Sequence, residues 1–190
     1  MTLDDLGPRI CIMGPSNSGK SSLTAAIARA RGLVPVHLDQ LRHLPQTDWQ
    51  ERPDEEFKVL HDAAILQERW VMDGNYSRLL PQRLARATGV IQLDASTLTS
   101  LFRYLRRSWF ERERVGALEG GQDSVKWEMI RHIAVTTRKN RQRNRATFDA
   151  INLPKIRLAS PAGLAHFYRT EELGHHRDRA AAKVSPQKEP

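Results

Sequence analysis

A glycine-rich stretch near the N-terminus has the residue types and the spacing of a phosphate-binding loop. It runs Gly14-Pro15-Ser16-Asn17-Ser18-Gly19-Lys20-Ser21 and is followed by Ser22. The two glycines let the backbone curl so that successive N–H groups point inward at phosphate oxygens. The lysine reaches the β- and γ-phosphates, and the hydroxyl of Ser21 coordinates Mg²⁺. The stretch therefore predicts a binding site for ATP and Mg²⁺.

The segments on either side of this loop are those that the chemistry requires. The apolar run Arg9–Met13 precedes it and is predicted to be a strand, and Leu23, Ile27 and Ala30 follow at helical spacing. Gly32 is in a position to end that helix. A helix that begins at the loop directs its positive dipole end at the phosphates, which favours a functional loop over a fortuitous turn.

Three further apolar runs end in an aspartate, namely Asp39, Asp73 and Asp94. Carboxylates in such positions hold the water molecules of a bound Mg²⁺. Spacing alone does not separate Asp73 from Asp94, and Asp73 is favoured because Gly74 behind it lets the backbone approach a ligand. The alternative for Asp94 is to cap the next helix, and for Asp39 it is to serve as an ordinary turn residue.

The pattern of apolar runs indicates an α/β fold. The runs predicted to be strands are Arg9–Met13, Val34–Leu38, Trp70–Met72, Val90–Leu93 and Lys155–Leu158. The segments between them have helical spacing, for example at Phe57, Leu60 and Ala64. This alternation predicts a parallel sheet with helices on both faces, in three layers. Ligands of such sheets lie outside the carboxyl ends of the strands, so the functional residues should follow the strands.

Residues 103–145 are rich in arginine and are predicted to form a helical lid or insertion. The arginines form two groups, separated by the glycine-containing stretch 115–122, which has the composition of a hinge. In this interpretation some of the arginines, with Arg107 as the candidate, close on the phosphates and stabilise the charge of the transition state. The alternative is a solvated basic helix.

Length and composition indicate one domain of an ordinary globular protein. The chain has 190 residues, of which 39% are hydrophobic, and a formal net charge of +8. Residues 1–170 are predicted to form the domain, and the polar residues 171–190 a disordered tail. One cysteine, Cys11, excludes an intramolecular disulfide, and no apolar run reaches the ~20 residues that span a bilayer. The N-terminus is acidic, unlike a signal peptide, so we expect a cytoplasmic protein without a membrane partner.

The motifs together resemble those of bacterial adenylate kinase-like P-loop proteins. The resemblance covers residues 8–170 and is carried by the loop, by His37-Leu38-Asp39, by the stretch from Asp73 to Arg78 and by Leu93-Asp94. More narrowly, the chain is similar to the group called DNA topology modulation proteins. The resemblance implies a P-loop NTPase fold of the nucleoside monophosphate kinase type, with the strand order 2-3-1-4-5.

The same resemblance implies roles for individual residues. In such kinases, the counterpart of Asp73 organises the Mg²⁺ waters, and the counterpart of Arg78 holds the phosphate of the acceptor. Asp39 and Arg42 would flank the acceptor pocket. The remaining members of the implied acceptor-binding set are Gly74, Asn75 and Tyr76.

Two functions are compatible with these features. The first, which we favour, is a kinase that transfers the γ-phosphoryl group of ATP to a small molecule of the nucleotide or nucleoside type. Its predicted catalytic residues are Lys20, Asp39, Asp73 and Arg107. The second is an ATP-binding regulator associated with nucleic acid, which the net charge of +8 suggests. The sequence contains no helix-turn-helix, zinc-finger or RNA-binding aromatic motif in support of it. Neither the acceptor nor the oligomeric state follows from the sequence.

Overall fold

A five-stranded parallel sheet forms the centre of the structure, a computed structural model that describes residues 1–47, 49–94 and 137–174, without the side chains of 137–141. The strands are β1 (Arg9–Met13), β2 (Val34–His37), β3 (Trp70–Asp73), β4 (Gly89–Leu93) and β5 (Lys155–Leu158). Their order in the sheet is β2-β3-β1-β4-β5, and all neighbouring strands are parallel. This confirms the predicted sheet and the strand order 2-3-1-4-5.

Helices cover both faces of the sheet, as predicted for a three-layer α/β fold. The helices are α1 (Lys20–Arg31), α2 (Leu38–Arg42), α3 (Asp54–Ile65), α4 (Leu80–Arg86), α5 (Thr137–Ala150) and α6 (Pro161–Thr170). Apolar side chains of α1 and α6 pack on one face of the sheet. Those of α3, α4 and α5 pack on the other. The sequence places Leu38 at the end of a strand, whereas in the structure it begins α2.

Helix α1 starts at the loop and is held firmly against the sheet. Leu23 and Ile27 are fully buried, whereas Ala30, predicted for the same stripe, is exposed. Gly32 ends the helix as expected, with a φ of 61°. The first turn of α1 is thereby fixed relative to the ends of β1 and β3.

Helix α3 buries a histidine where an apolar residue was expected. Phe57 and Ala64 face the core as predicted, but Leu60 is exposed and His61 is fully buried in the position next to it. The Nδ1 atom of His61 lies 3.0 Å from Oδ1 of Asp62, and its Nε2 atom has no hydrogen-bond partner among the residues described. Burial lowers the pKa of His61, so the folded protein holds the neutral ring.

This burial predicts a loss of stability on mild acidification. Below about pH 6.5 the unfolded chain binds a proton at His61 that the folded chain does not, so the free energy of unfolding falls with pH until the folded pKa is reached. The fall is at most about 1.4 kcal/mol per pH unit. Urea unfolding at pH 7.5 and 5.5 should show a smaller acid loss for His61→Leu than for wild type. The control is His166→Leu, at an exposed position of α6; an equal acid loss in all three proteins would contradict the prediction.

The described part of the chain continues past the predicted domain boundary at residue 170. Leu173 is buried in the core with α1 and α6. The side chain of Glu171 accepts hydrogen bonds from the backbone N–H of Leu3 and from Arg31. A single leucine in a polar stretch gives no periodic signal, which is why the sequence places the tail too early. Residues 175–190 of that tail lie outside the described residues.

None of the helices in the described part of the chain has the length and apolar character needed to cross a membrane.

Candidate functional site

The glycine-rich loop joins β1 to α1 and depends on left-handed backbone conformations. Gly14 has a φ of 149° and Gly19 a φ of 99°, and Asn17 between them has a φ of 60°. A Cβ atom on Gly14 would lie 2.5 Å from the carbonyl oxygen of Leu93 on β4, so only glycine fits there. The three positive-φ residues bend the backbone sharply within eight residues, and turns that contain such residues are common in anion-binding loops.

The side chain of Lys20 lies across this loop. Its Nζ atom donates hydrogen bonds to the carbonyl oxygens of Gly14 (3.0 Å) and Pro15 (2.8 Å). Lys20 is also the first residue of α1, whose unpaired N–H groups and dipole favour a negative charge at the same point. Ser21 next to it is half-buried. The loop thus places a cation, a helix N-terminus and a hydroxyl together.

Asp73 lies on the face of the sheet that α1 covers. It is in register with Ile12 on β1 and with His37 on β2, and residues in register on neighbouring parallel strands point to the same face. Ile12 packs in the core beneath α1, which carries Ser21 in its first turn. Asp73 is buried, and its Oδ2 atom lies 2.7 Å from Nδ1 of His37. The predicted Mg²⁺ carboxylate therefore has a histidine partner.

Asp94 follows β4, on the other side of β1, and is equally buried. It is bound by Arg145 of α5, whose Nε atom donates to its Oδ2 atom at 2.7 Å. A second nitrogen of the same guanidinium contacts that oxygen as well. Both candidate acids thus flank the strand that leads into the loop, one paired with a histidine and the other with an arginine.

The turn after β3 is bonded directly to the loop. The side-chain Oδ1 atom of Asn75 accepts from the N–H of Gly14 at 3.2 Å, and its Nδ2 atom donates to the carbonyl of Gly14 at 2.9 Å. Gly74 has a φ of 124°, and a Cβ atom there would lie 2.7 Å from Cβ of Leu38. Asn75, predicted to contact the acceptor, is therefore engaged with the phosphate loop.

A buried arginine that the sequence analysis did not identify supports this turn. Arg83 of α4 has only 1% of its surface exposed. It donates to the carbonyl oxygens of Gly74 (2.8 Å), Asn75 (2.8 Å) and Tyr76 (3.1 Å). Burial lowers its pKa. Its hydrogen-bond partners are backbone carbonyls. The sequence therefore offers no acidic partner from which the burial of Arg83 could be predicted.

Asp39 and Tyr76 form a pair at the ends of β2 and β3. The Tyr76 hydroxyl donates to Oδ1 of Asp39 at 2.7 Å. Burial, and then the negative charge of Asp39, raise the pKa of Tyr76, so the phenol stays protonated and acts as a donor. The hydrogen bond orients the carboxylate of Asp39, one of the predicted catalytic residues.

Arg42 and Arg78 converge on one carboxylate. Arg42 donates to Oδ1 of Asp54 at 2.6 Å, and Arg78 donates to Oδ2 at 2.8 Å. Arg42 also contacts Glu51. The hydrogen bond from Arg42, followed by that from Arg78, lowers the pKa of Asp54. Arg78, predicted to hold the acceptor phosphate, and Arg42, predicted to flank the acceptor pocket, thus lie close together with an ionised carboxylate between them.

Helix α5 brings further arginine side chains to this edge of the sheet. Arg143 donates to the hydroxyl of Ser77 at 3.4 Å, beyond β3, and Arg145 reaches Asp94 beyond β4. Arg107 and residues 103–136 of the predicted lid lie outside the described residues. The pairing of His37 with Asp73 and of Arg145 with Asp94 did not follow from the sequence, because each depends on a partner from a distant segment.

Residues 1–47, 49–94 and 137–174 contain no group of three or more His, Cys, Asp or Glu side chains that could hold a metal ion. Mg²⁺ in phosphate-transfer sites takes one or two protein oxygens and fills its other positions with water and substrate phosphate. The hydroxyl of Ser21 with one carboxylate that follows a neighbouring strand would be a donor set of that kind.

Comparison with known proteins gave likenesses in structure only. No family model and no curated protein matches the chain. A gluconokinase from Sinorhizobium meliloti 1021 is 16% identical, covers 95% of this chain and 99% of its own, and has a TM-score of 0.49. A sugar kinase from Janibacter sp. HTCC2649 is 16% identical, covers 93% of this chain and 98% of its own, and has a TM-score of 0.44. Likenesses at this level assign neither an activity nor a substrate.

Proposed function

We propose that this protein binds ATP·Mg²⁺ at the loop Gly14–Ser21 and transfers the γ-phosphoryl group to a small-molecule acceptor. The observation that carries the proposal is the position of Lys20, whose ammonium lies across a loop of left-handed turns at the N-terminus of α1. An ammonium, a helix N-terminus and a tightly bent glycine-containing loop together suit a chain of phosphates. The predicted cofactor therefore fits the residues that are present.

The acceptor is proposed to lie beyond the ends of β2 and β3. Asp39 would receive the proton of an acceptor hydroxyl as that oxygen forms its bond to the γ-phosphorus and the bond to ADP breaks. Tyr76 holds one oxygen of Asp39 through the 2.7 Å hydrogen bond, so the other oxygen is the one available for this role. Arg42 and Arg78 would bind an anionic group of the acceptor, which would take the place of Asp54 between them.

Mg²⁺ would be held by Ser21 and, through its waters, by Asp73 or Asp94. When bound, the ion neutralises charge on the β- and γ-phosphates. We favour Asp73, because it lies on the α1 face of the sheet, and Ser21 lies in the first turn of that helix. Asp94 is bound by Arg145 from α5, which packs on the opposite face.

The variants Asp73→Asn and Asp94→Asn separate these two assignments. Each replaces a buried carboxylate by a neutral group of the same shape. We expect Asp73→Asn to raise the Mg²⁺ concentration for half-maximal ATP binding by about tenfold or more, the usual effect of losing an outer-shell metal partner. Asp94→Asn should shift it by less than about threefold. Fluorescence titration with Mg²⁺ at fixed ATP, after both variants are shown to be folded, measures the shift; the reverse order would assign the role to Asp94.

A screen for ADP formation tests the kinase activity itself. The protein is incubated with ATP, Mg²⁺ and, in turn, nucleosides, nucleoside monophosphates, sugars and shikimate-like acids. One class is expected to raise ADP formation above the acceptor-free rate, and Lys20→Ala should abolish the increase. If no class raises it and Lys20→Ala behaves like wild type, the protein is not a kinase for these acceptors and the proposal is contradicted.

A further inference from the structure

The amide of Asn75 occupies both hydrogen-bonding groups of the Gly14 backbone. Its Oδ1 atom accepts from the Gly14 N–H, and its Nδ2 atom donates to the Gly14 carbonyl. Gly14 is the first residue of the phosphate loop, and Asn75 belongs to the turn after β3, on the neighbouring strand. The two hydrogen bonds of this side chain pair with the Gly14 backbone as a neighbouring strand would. They hold the start of the loop at a fixed distance from the turn after β3.

The Gly14 carbonyl has a second donor, Nζ of Lys20, at 3.0 Å. To reach the phosphates of a nucleotide, Lys20 must leave this carbonyl and that of Pro15. A partly buried carbonyl oxygen that loses its hydrogen-bond donor raises the free energy of the state in which it is unpaired. That cost would disfavour the movement of Lys20 to the phosphates. Because Asn75 donates to the Gly14 carbonyl as well, that carbonyl keeps a partner after the ammonium has moved.

The position of Asn75 is itself fixed by Arg83 of α4. The buried guanidinium of Arg83 donates to the carbonyl oxygens of Gly74, Asn75 and Tyr76, and so holds the backbone of this turn. The hydroxyl of Tyr76 bonds in turn to Asp39. One turn of backbone thereby connects the phosphate loop with the carboxylate proposed to receive the acceptor proton.

From this arrangement we infer that Asn75 is a positioning residue of the nucleotide site, which keeps Gly14 in place and satisfied while Lys20 moves from the loop carbonyls to the phosphates. The inference rests on the proposed nucleotide binding. It gives Asn75 a role other than the acceptor contact that its position in the sequence motif implies. Asn75 acts through Gly14 and Lys20, so its removal should weaken binding only where Lys20 is present.

Calorimetric titration with ATP and Mg²⁺ tests this role. Asn75→Ala is expected to weaken ATP binding about tenfold, the effect of losing roughly one net hydrogen bond. Asn75→Asp should weaken it further, because a carboxylate would face the Gly14 carbonyl and lie near the phosphates; added salt should narrow the difference between the two variants. The matched control is Asn152→Ala, at an exposed position before β5, which should bind ATP like wild type.

A double-variant cycle distinguishes positioning from general loosening of the fold. If Asn75 acts through Lys20, then Asn75→Ala should cost less than about twofold when Lys20→Ala is already present. An equal, additive loss in both backgrounds, or no loss from Asn75→Ala in a wild type that binds ATP, overturns the inference. Failure of the wild type itself to bind ATP would overturn the proposed function, and this inference with it.

Discussion

Lys20→Ala is expected to weaken ATP binding by about 10- to 150-fold. The estimate follows from the value of a hydrogen bond to a charged group, about 1.5–3 kcal/mol, at 1.4 kcal/mol for each factor of ten. In the structure the ammonium donates hydrogen bonds to the carbonyls of Gly14 and Pro15, at the N-terminus of α1. It therefore needs only a local movement to contact a phosphate bound there. Loss of phosphoryl transfer should be larger still, by about a further 100-fold, because the lysine also stabilises the charge of the transition state.

The matched control for this prediction is Lys58→Ala. Lys58 lies on the outer face of α3, paired with Asp62 at 3.0 Å, so its removal changes the net charge equally without touching the loop. Calorimetry with ATP and Mg²⁺ should leave Lys58→Ala within about a factor of two of wild type, since surface ion pairs contribute little. Equal losses in the two variants would mean that ATP is attracted by overall charge, and the loop would then have no special role.

The central strands could be predicted because parallel strands covered on both faces are apolar along most of their length. The edge strand β5, with Lys155 and Arg157, instead alternates charged and apolar residues. Runs such as Arg9–Met13 and Lys155–Leu158 have the same bounds in the sequence analysis and in the structure. The spacing of the runs does not determine their order in the sheet. Placing β3 between β2 and β1 required the resemblance to adenylate kinase-like proteins, because pairing depends on contacts between distant segments.

Arrangements within one short segment were predictable, and those that depend on pairing between distant segments were not. The glycines of the loop and the lysine at its end act within eight consecutive residues, so their spacing alone predicts their arrangement. The contact between His37 and Asp73 depends instead on the register of β2 with β3. The same holds for Arg145, which meets Asp94 only because α5 packs on that face of the sheet.

Arg83 shows most clearly why a sequence underestimates such a residue. It is one of two arginines in α4, and the usual expectation for an arginine is exposure to solvent. Its partners are three successive backbone carbonyls, which any residue type supplies. Only the fold of the turn after β3, with the left-handed Gly74 at its start, brings those carbonyls to one point.

Arg83→Met is therefore expected to lower the free energy of unfolding by about 3 kcal/mol. Two effects oppose each other. Methionine removes the cost of burying a charge that has no carboxylate partner, and replacing buried charges by apolar groups is often neutral when both partners are removed. Here the carbonyls of Gly74, Asn75 and Tyr76 remain and lose their donor, the first in a buried position and the other two in partly buried ones. A buried acceptor left without a donor costs about 1–3 kcal/mol. Because three carbonyls lose their donor and only one charge is relieved of its desolvation cost, we expect the loss of hydrogen bonds to be the larger effect.

Urea unfolding of Arg83→Met and Arg86→Met measures this difference within one helix. Arg86 is exposed at the end of α4, so its replacement should change the free energy of unfolding by less than about 0.5 kcal/mol. A value for Arg83→Met within that same range would show that the desolvation of the guanidinium cancels its three hydrogen bonds. In that case the turn would hold its shape without Arg83, and the order of Asn75 beside the phosphate loop would have to come from Gly14 alone. A large loss would instead mean that the buried cation stabilises the fold through the same turn that carries Asn75 and Tyr76.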